Sequence, residues 1–127
     1  MNELFKLLTE SPGLFQAVSL SEEGKVFVTL GCTYGDGTLI ELWITEHEEN
    51  YIVSDRGRTR QYMDKIFELS EPDVIKNIVA ATEYYDVHTK DKQLSVKVGK
   101  TEDERNAGFI RMQLCISFLD NMKFFYI

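Results

Sequence analysis

The stretch Val26-Phe27-Val28-Thr29-Leu30-Gly31-Cys32-Thr33-Tyr34-Gly35-Asp36-Gly37-Thr38-Leu39-Ile40-Glu41-Leu42-Trp43-Ile44-Thr45 decides the fold. Val26, Val28, Leu30 and Cys32 fall on one side of an extended chain, and Lys25, Phe27 and Thr29 on the other. That period of two belongs to a β-strand. Tyr34-Gly35-Asp36-Gly37 makes a turn, and Thr38 to Thr45 alternates again, with Ile40, Leu42 and Ile44 opposite Leu39, Glu41 and Trp43. Because both of its faces carry apolar residues, this second strand is expected to be central and at least partly covered on both sides.

Working outward, Phe15 to Leu20 reads as a strand leading through the polar turn Ser21-Glu22-Glu23-Gly24, and Glu46-His47-Glu48-Glu49-Asn50 turns the chain into a further strand, Tyr51 to Ser54. Short polar turns between successive strands predict a four-stranded antiparallel meander. Before it, Leu4, Phe5, Leu7 and Leu8 share one side of a short helix. After Gly57 the spacing becomes helical through Thr59, Tyr62, Met63, Ile66 and Phe67. Ser70-Glu71-Pro72-Asp73 can cap and start another helix, with Val74, Ile75, Ile78, Val79, Thr82 and Tyr85 as its buried stripe. Val87–Thr89 and Leu94–Val98 suggest an additional short hairpin around Lys90-Asp91-Lys92-Gln93. Thr101-Glu102-Asp103-Glu104 is a capping box opening a long C-terminal helix. The chain thus reads as a single α+β domain over residues 1–127.

Composition narrows the function classes. With 127 residues, 43% of them hydrophobic, the chain can fill one core. Its net charge of −7 disfavours non-specific contact with nucleic acid. An acidic decoy of nucleic acid would spread carboxylates over one face, and 21 acids against 14 bases is an ordinary excess. No apolar run reaches the roughly 18 residues that a membrane span needs. The start Met1-Asn2-Glu3-Leu4-Phe5-Lys6 has no signal-peptide pattern, so a cytoplasmic location is expected. Cys32 and Cys115 lie in apolar surroundings, as reduced core thiols do, and with His47 and His88 they show no metal-site spacing. No P-loop, dinucleotide fingerprint or Gly-x-Ser-x-Gly occurs, and no metal or other cofactor is implied. Asp36, Glu41 and Asp55 are placed like acids of a metal-dependent nuclease, but Glu41 is followed by Leu42-Trp43 with no lysine to activate the attack.

Two segments invite a functional reading. Ser54-Asp55-Arg56-Gly57-Arg58-Thr59-Arg60 gathers three arginines at a glycine turn that leads into a helix. Arg56, Gly57, Arg58 and Arg60 are candidates to bind an anion such as a phosphate. Ser54 and Asp55 can instead cap the helix, with the arginines pairing with nearby acids. The last helix carries two apolar stripes where a surface helix needs one. Ala107, Ile110, Leu114, Phe118, Met122 and Phe125 form the first; Phe109, Met112, Ile116, Leu119 and Tyr126 form the second. Either the helix is sandwiched within its own chain, or one stripe meets another chain. The second stripe, Phe109, Met112, Ile116, Leu119 and Tyr126, is the interface candidate.

The run Val28-Thr29-Leu30, then Tyr34-Gly35-Asp36-Gly37-Thr38-Leu39-Ile40-Glu41-Leu42-Trp43-Ile44, followed by Tyr51-Ile52-Val53-Ser54-Asp55-Arg56-Gly57-Arg58-Thr59, resembles the domain-of-unknown-function 1828 family of bacteria and their phages. That family's pattern has Gly-Asp before an Ile-rich strand and a Thr/Ser-Asp-x-Gly-x-Thr turn into a helix. The resemblance runs from Phe15 to Val98 and rests chiefly on Ser54 to Thr59. It implies a prokaryotic or phage origin and an intracellular location, and it implies no activity. The expectation is therefore a small non-enzymatic binding or regulatory module, oligomeric or acting on a protein partner, with a phage-borne inhibitor of host defence as one form. The alternative is a ligand-binding or enzymatic domain for a phosphorylated small molecule at the Arg56–Arg60 turn.

Overall fold

Alternating apolar residues on successive segments build the sheet, and helices lay apolar side chains against one face of it. The computed structural model describes residues 3–10, 15–66 and 71–122. In chain order the elements are α1 (Glu3–Thr9), β1 (Ala17–Leu20), β2 (Val26–Thr33), β3 (Leu39–Glu46), β4 (Tyr51–Ser54), α2 (Arg58–Asp64), α3 (Pro72–Tyr84), β5 (His88–Lys90), β6 (Gln93–Val98) and α4 (Glu102–Asn121). The fold is α+β, and the meander extends beyond four strands: one six-stranded sheet runs β1-β2-β3-β4-β6-β5. The hairpin β5–β6 is not a separate unit. It joins the sheet because β6 pairs antiparallel with β4, Tyr51 opposite Val98 and Ser54 opposite Ser95.

One face of the sheet supplies the core. Val26, Val28, Leu30, Ile40, Leu42, Ile44, Val53, Leu94 and Val96 are buried there. The opposite face differs from the covering expected on β3. Phe27, Trp43 and Ile52 are only half-buried and Leu39 is exposed. Trp43 is instead sheltered sideways: Phe27, its partner across the strands, stacks on it at 4.4 Å, and the Arg56 guanidinium lies 3.7 Å from its ring centroid. The clean alternation of β2 also ends early, because its register against β3 shifts between Thr29 and Thr33.

The helix starts follow their local chemistry. At α4 the capping box forms as its sequence predicts. The Thr101 hydroxyl oxygen accepts from the Glu104 N–H at 3.2 Å and donates to Glu104 Oε1 at 2.7 Å. At α3 the N-cap is Glu71, which makes no side-chain cap bond, and Pro72 opens the helix; Ser70 lies outside the described residues. The stripe expected on α3 is narrower than its sequence suggests. Val74, Ile78 and Thr82 are buried, while Ile75 and Val79 are exposed, because a helix resting on a flat layer hides only the residues within about 100° of the contact line. Gly108 brings α4 down on β6: a Cβ there would stand 2.0 Å from Val98 Cγ1.

That close approach fixes which stripe of α4 is inside. Phe109, Met112, Ile116 and Leu119 are all buried, between 0 and 2% exposed. They form the core of this chain, which corrects their assignment as an interface with another chain. Tyr126 lies outside the described residues, as does Phe125. The other stripe faces outward: Ile110, Leu114 and Phe118 are 46, 49 and 40% exposed. Among the described residues of that stripe only Met122 is buried. Both stripes are apolar, so composition could not choose between them. The glycine at 108 chooses, because it lies on the same side of the helix as Met112 and Cys115 and admits only that side to the sheet.

Candidate functional site

Ser54 to Arg60 joins the end of β4 to α2, and its centre is a buried carboxylate. Asp55 is fully buried. Its Oδ1 accepts from the Gly57 N–H at 2.8 Å and from the Leu94 N–H at 2.9 Å, and its Oδ2 accepts from the Thr59 N–H at 3.2 Å. Its own N–H donates to the Leu94 carbonyl at 3.1 Å. The side chain therefore extends the β4–β6 ladder one step past Ser54 and Ser95, with a carboxylate oxygen where a strand would offer its carbonyl. Ser54 supports the same turn, its Oγ accepting from the Arg56 N–H at 3.0 Å.

Residues 56 and 57 both take positive φ, 56° for Arg56 and 78° for Gly57. That left-handed pair folds the chain back so that the N–H groups of Gly57 and Thr59 converge on one carboxylate. The anion here is internal. The N–H of Gly57, one of the residues that the sequence suggested for a bound phosphate, is taken by Asp55, as is that of Thr59. Helix α2 is also short, seven residues.

The arginines diverge. Arg56 lies over Trp43 on the open face of the sheet. Arg58 lies 3.9 Å from Glu41 with half of its side chain exposed, a loose pair worth little in water. Arg60 is partly buried. Ser54 and Asp55 are thus brought together with Gly57 in one turn, while Arg56 and Arg58 point to separate neighbours, Trp43 and Glu41. The three acids with nuclease-like placement separate as well. Asp36 sits exposed in the β2–β3 turn, accepting from the Thr38 N–H at 2.9 Å, and Glu41 faces Arg58. Among the described residues no three His, Cys, Asp or Glu side chains converge as metal ligands would.

Beneath the turn lies a polar group that the sequence did not single out. The Tyr34 hydroxyl is 3.0 Å from Thr59 Oγ1, both side chains are buried, and the Tyr34 ring stacks on Tyr62 at 5.1 Å. Tyr34 reads as a turn residue, but only its backbone serves the turn; its ring enters the core. Asp120 of α4 accepts from the Gly35 N–H at 3.1 Å and ties that hairpin tip to the last helix.

Burial pushes the Tyr34 hydroxyl well above the usual tyrosine range, against the opposing pull of its Thr59 hydrogen bond. Burial, and to a lesser degree the Asp55 charge, pushes the Cys115 thiol from 9.0 up to about 12. Well below pH 9 both groups are neutral in the folded and the unfolded chain. Above it the unfolded chain ionises first while the folded chain still holds its protons, so the unfolded state gains free energy. Thermal midpoints are therefore expected to fall as pH rises above about 9, and less steeply in Cys115→Ala than in the parent. An equal fall in the two proteins would count against the thiol.

Two concavities bear on binding. One, of about 630 Å³, lies where β5 stops short of the end of β6 and is lined by Lys97, Ser95, His88, Asp86, Glu83 and Arg111 among others. Its basic and acidic groups are mixed, and the Arg111 guanidinium reaches the Asp86 carbonyl at 3.4 Å. The second, of about 360 Å³, lies between α3 and α4 and is lined by Asn77, Ala80, Ala81, Tyr84, Tyr85 and Phe118. It opens onto the outward stripe of α4, and Tyr84 beside it is 81% exposed. Among the described residues no helix is long and apolar enough to cross a membrane. Comparison with protein families, with curated proteins and with solved structures finds no match to this chain.

Proposed function

We propose that this chain is a small non-enzymatic binding module that regulates or inhibits a protein partner, docking through the outward face formed by α4 and the end of α3. The observation that carries this reading is the apolar surface of Ile110, Leu114, Phe118 and Tyr84, continuous with the notch between the two helices. Scattered exposed hydrophobics need no explanation, but a contiguous patch rimmed by polar residues marks an interaction site. An aromatic-walled notch beside an aliphatic ridge suits a helix or loop that inserts one large apolar side chain. At the Ser54–Arg60 turn the groups that could carry chemistry, Asp55 and Thr59 with Tyr34 beneath them, are buried in the core and occupied with one another or with the backbone. The resemblance to a bacterial and phage family makes an inhibitor of a host system one form of this module.

Capture from the native host tests the proposal with three baits: the parent chain, Leu114→Asp, and the triple variant Arg56→Ala, Arg58→Ala, Arg60→Ala. A partner held by the parent and the triple variant and lost by Leu114→Asp is the expected pattern. Loss with the triple variant alone, together with a thermal shift on adding nucleotides, would favour a phosphorylated ligand at the Arg56–Arg60 turn instead.

A further inference from the structure

The outward ridge of α4 has three properties that together name an occupant. First, it is symmetric about its middle: Ile110 and Phe118 each lie four residues, one helical turn, from Leu114. A two-fold axis through Leu114 would set Leu114 on its own copy and Ile110 beside the partner's Phe118, the self-complementary arrangement that an isologous contact requires. Ridges of residues spaced by four are also the ones that most often pack between helices.

Second, the ridge carries no acid. From Arg105 to Leu119 the chain has no Asp or Glu, although the whole protein has 21 acids and a net charge of −7. A surface this acidic repels its own copy nearly everywhere. The flanks of the ridge are Asn106, Gln113, Ser117 and Asn121, which can be apposed to themselves without charge repulsion, and Arg111, whose guanidinium is turned aside to the Asp86 carbonyl at 3.4 Å.

Third, the area is of the right order. The exposed parts of Ile110, Leu114 and Phe118, with the Tyr84 ring beside them contributing nearly half, present at most on the order of 500 Å² per copy, hence no more than about 1,000 Å² in a pair, the low end for a specific interface. That size matches a reversible dimer. It does not match an obligate one, in keeping with a core that the chain fills by itself.

We infer that a second copy of this chain covers the α4 ridge, in an antiparallel helix pair with Leu114 on the two-fold axis. The inference rests on the reading of this face as a docking surface and adds its occupant when the chain is alone in solution.

Sedimentation equilibrium of the full chain between about 1 µM and about 500 µM is the first measurement. The expected result is a monomer–dimer equilibrium in that range, weakened at least about tenfold by Leu114→Asp, which sets two charges against each other on the axis. Register is read by disulfide trapping in a Cys32→Ser background. Leu114→Cys alone should form a linked dimer. Ile110→Cys should link efficiently only when mixed with Phe118→Cys. Circular dichroism of each variant confirms that the half-exposed positions leave the fold intact. A monomer throughout the range, a dimer indifferent to Leu114→Asp, or failure of the Leu114→Cys trap in a chain that does dimerise would each overturn the inference. A monomeric parent whose partner capture still depends on Leu114 would overturn the dimer and leave the docking surface standing.

Discussion

Asp55→Ala is expected to lower the unfolding free energy by about 3–5 kcal/mol, a large share of the stability of any domain of this size. The carboxylate accepts from three backbone N–H groups, those of Gly57, Thr59 and Leu94. The substitution strands all three donors in a place that water does not reach. Each buried donor left without an acceptor costs about 1–3 kcal/mol, and bonds to a charged acceptor stand toward the upper end of the usual range. The loss is also topological, since those donors belong to three places: the turn, the first residues of α2, and the start of β6.

Asp55→Asn separates charge from shape. The amide keeps one oxygen and turns an NH2 group toward remaining donors, so a smaller loss of about 2 kcal/mol is expected. Urea or guanidinium unfolding followed by circular dichroism measures both. A loss under about 1 kcal/mol for Asp55→Ala would show that the turn holds without its carboxylate. The same buried carboxylate gives a physical reason for the Ser-Asp-x-Gly-x-Thr pattern in this chain. Ser54 supports the turn, Gly57 takes the left-handed conformation at a φ of 78°, and Thr59 meets Tyr34. Each of these residues serves the fold, and the arginines between them point elsewhere.

The second large effect divides the two stripes of α4. Ile116→Ala is expected to cost about 2–5 kcal/mol, because the side chain is fully buried and the rigid sheet beneath can collapse only in part onto the space it leaves. Leu114→Ala, two positions earlier and almost as apolar, is expected to change the stability of the monomer by no more than about 0.5 kcal/mol, since the side chain is already 49% exposed. Unfolding midpoints should be read at a concentration where the parent is monomeric, so that association does not add to the parent's stability. Equal losses for the two variants would mean that the outward stripe is packed as tightly as the inward one.

Much of the molecule was legible from side-chain pattern alone. The period of two along β3 and the first part of β2, the polar turns between strands, and the capping box at Thr101 are local features, and each appears in the structure where its residues stand. The β5–β6 turn also falls where its polar residues suggested, although Asp91 and Lys92 both adopt positive φ without glycine, at 52° and 63°. Local chemistry dictates such features because the groups involved lie within a few residues of one another.

What the tertiary structure decided was which neighbour each group meets. The sequence showed an arginine-rich turn at a helix start with Asp55 able to cap it, and could not show that this carboxylate is buried and also holds a strand, because its third donor, Leu94, lies 39 residues away. It showed Tyr34 in a turn and could not show its ring in the core beside Thr59, 25 residues on. It showed two apolar stripes on one helix, alike in composition, and only the descent of α4 onto β6 at Gly108 buried one and left the other to the surface. Periodicity is a property of one segment, so the sequence by itself determined the strands, turns and helix starts. Burial is a relation between segments, and it fell to the packing of the helices on the sheet to determine which residues hold the fold and which face outward.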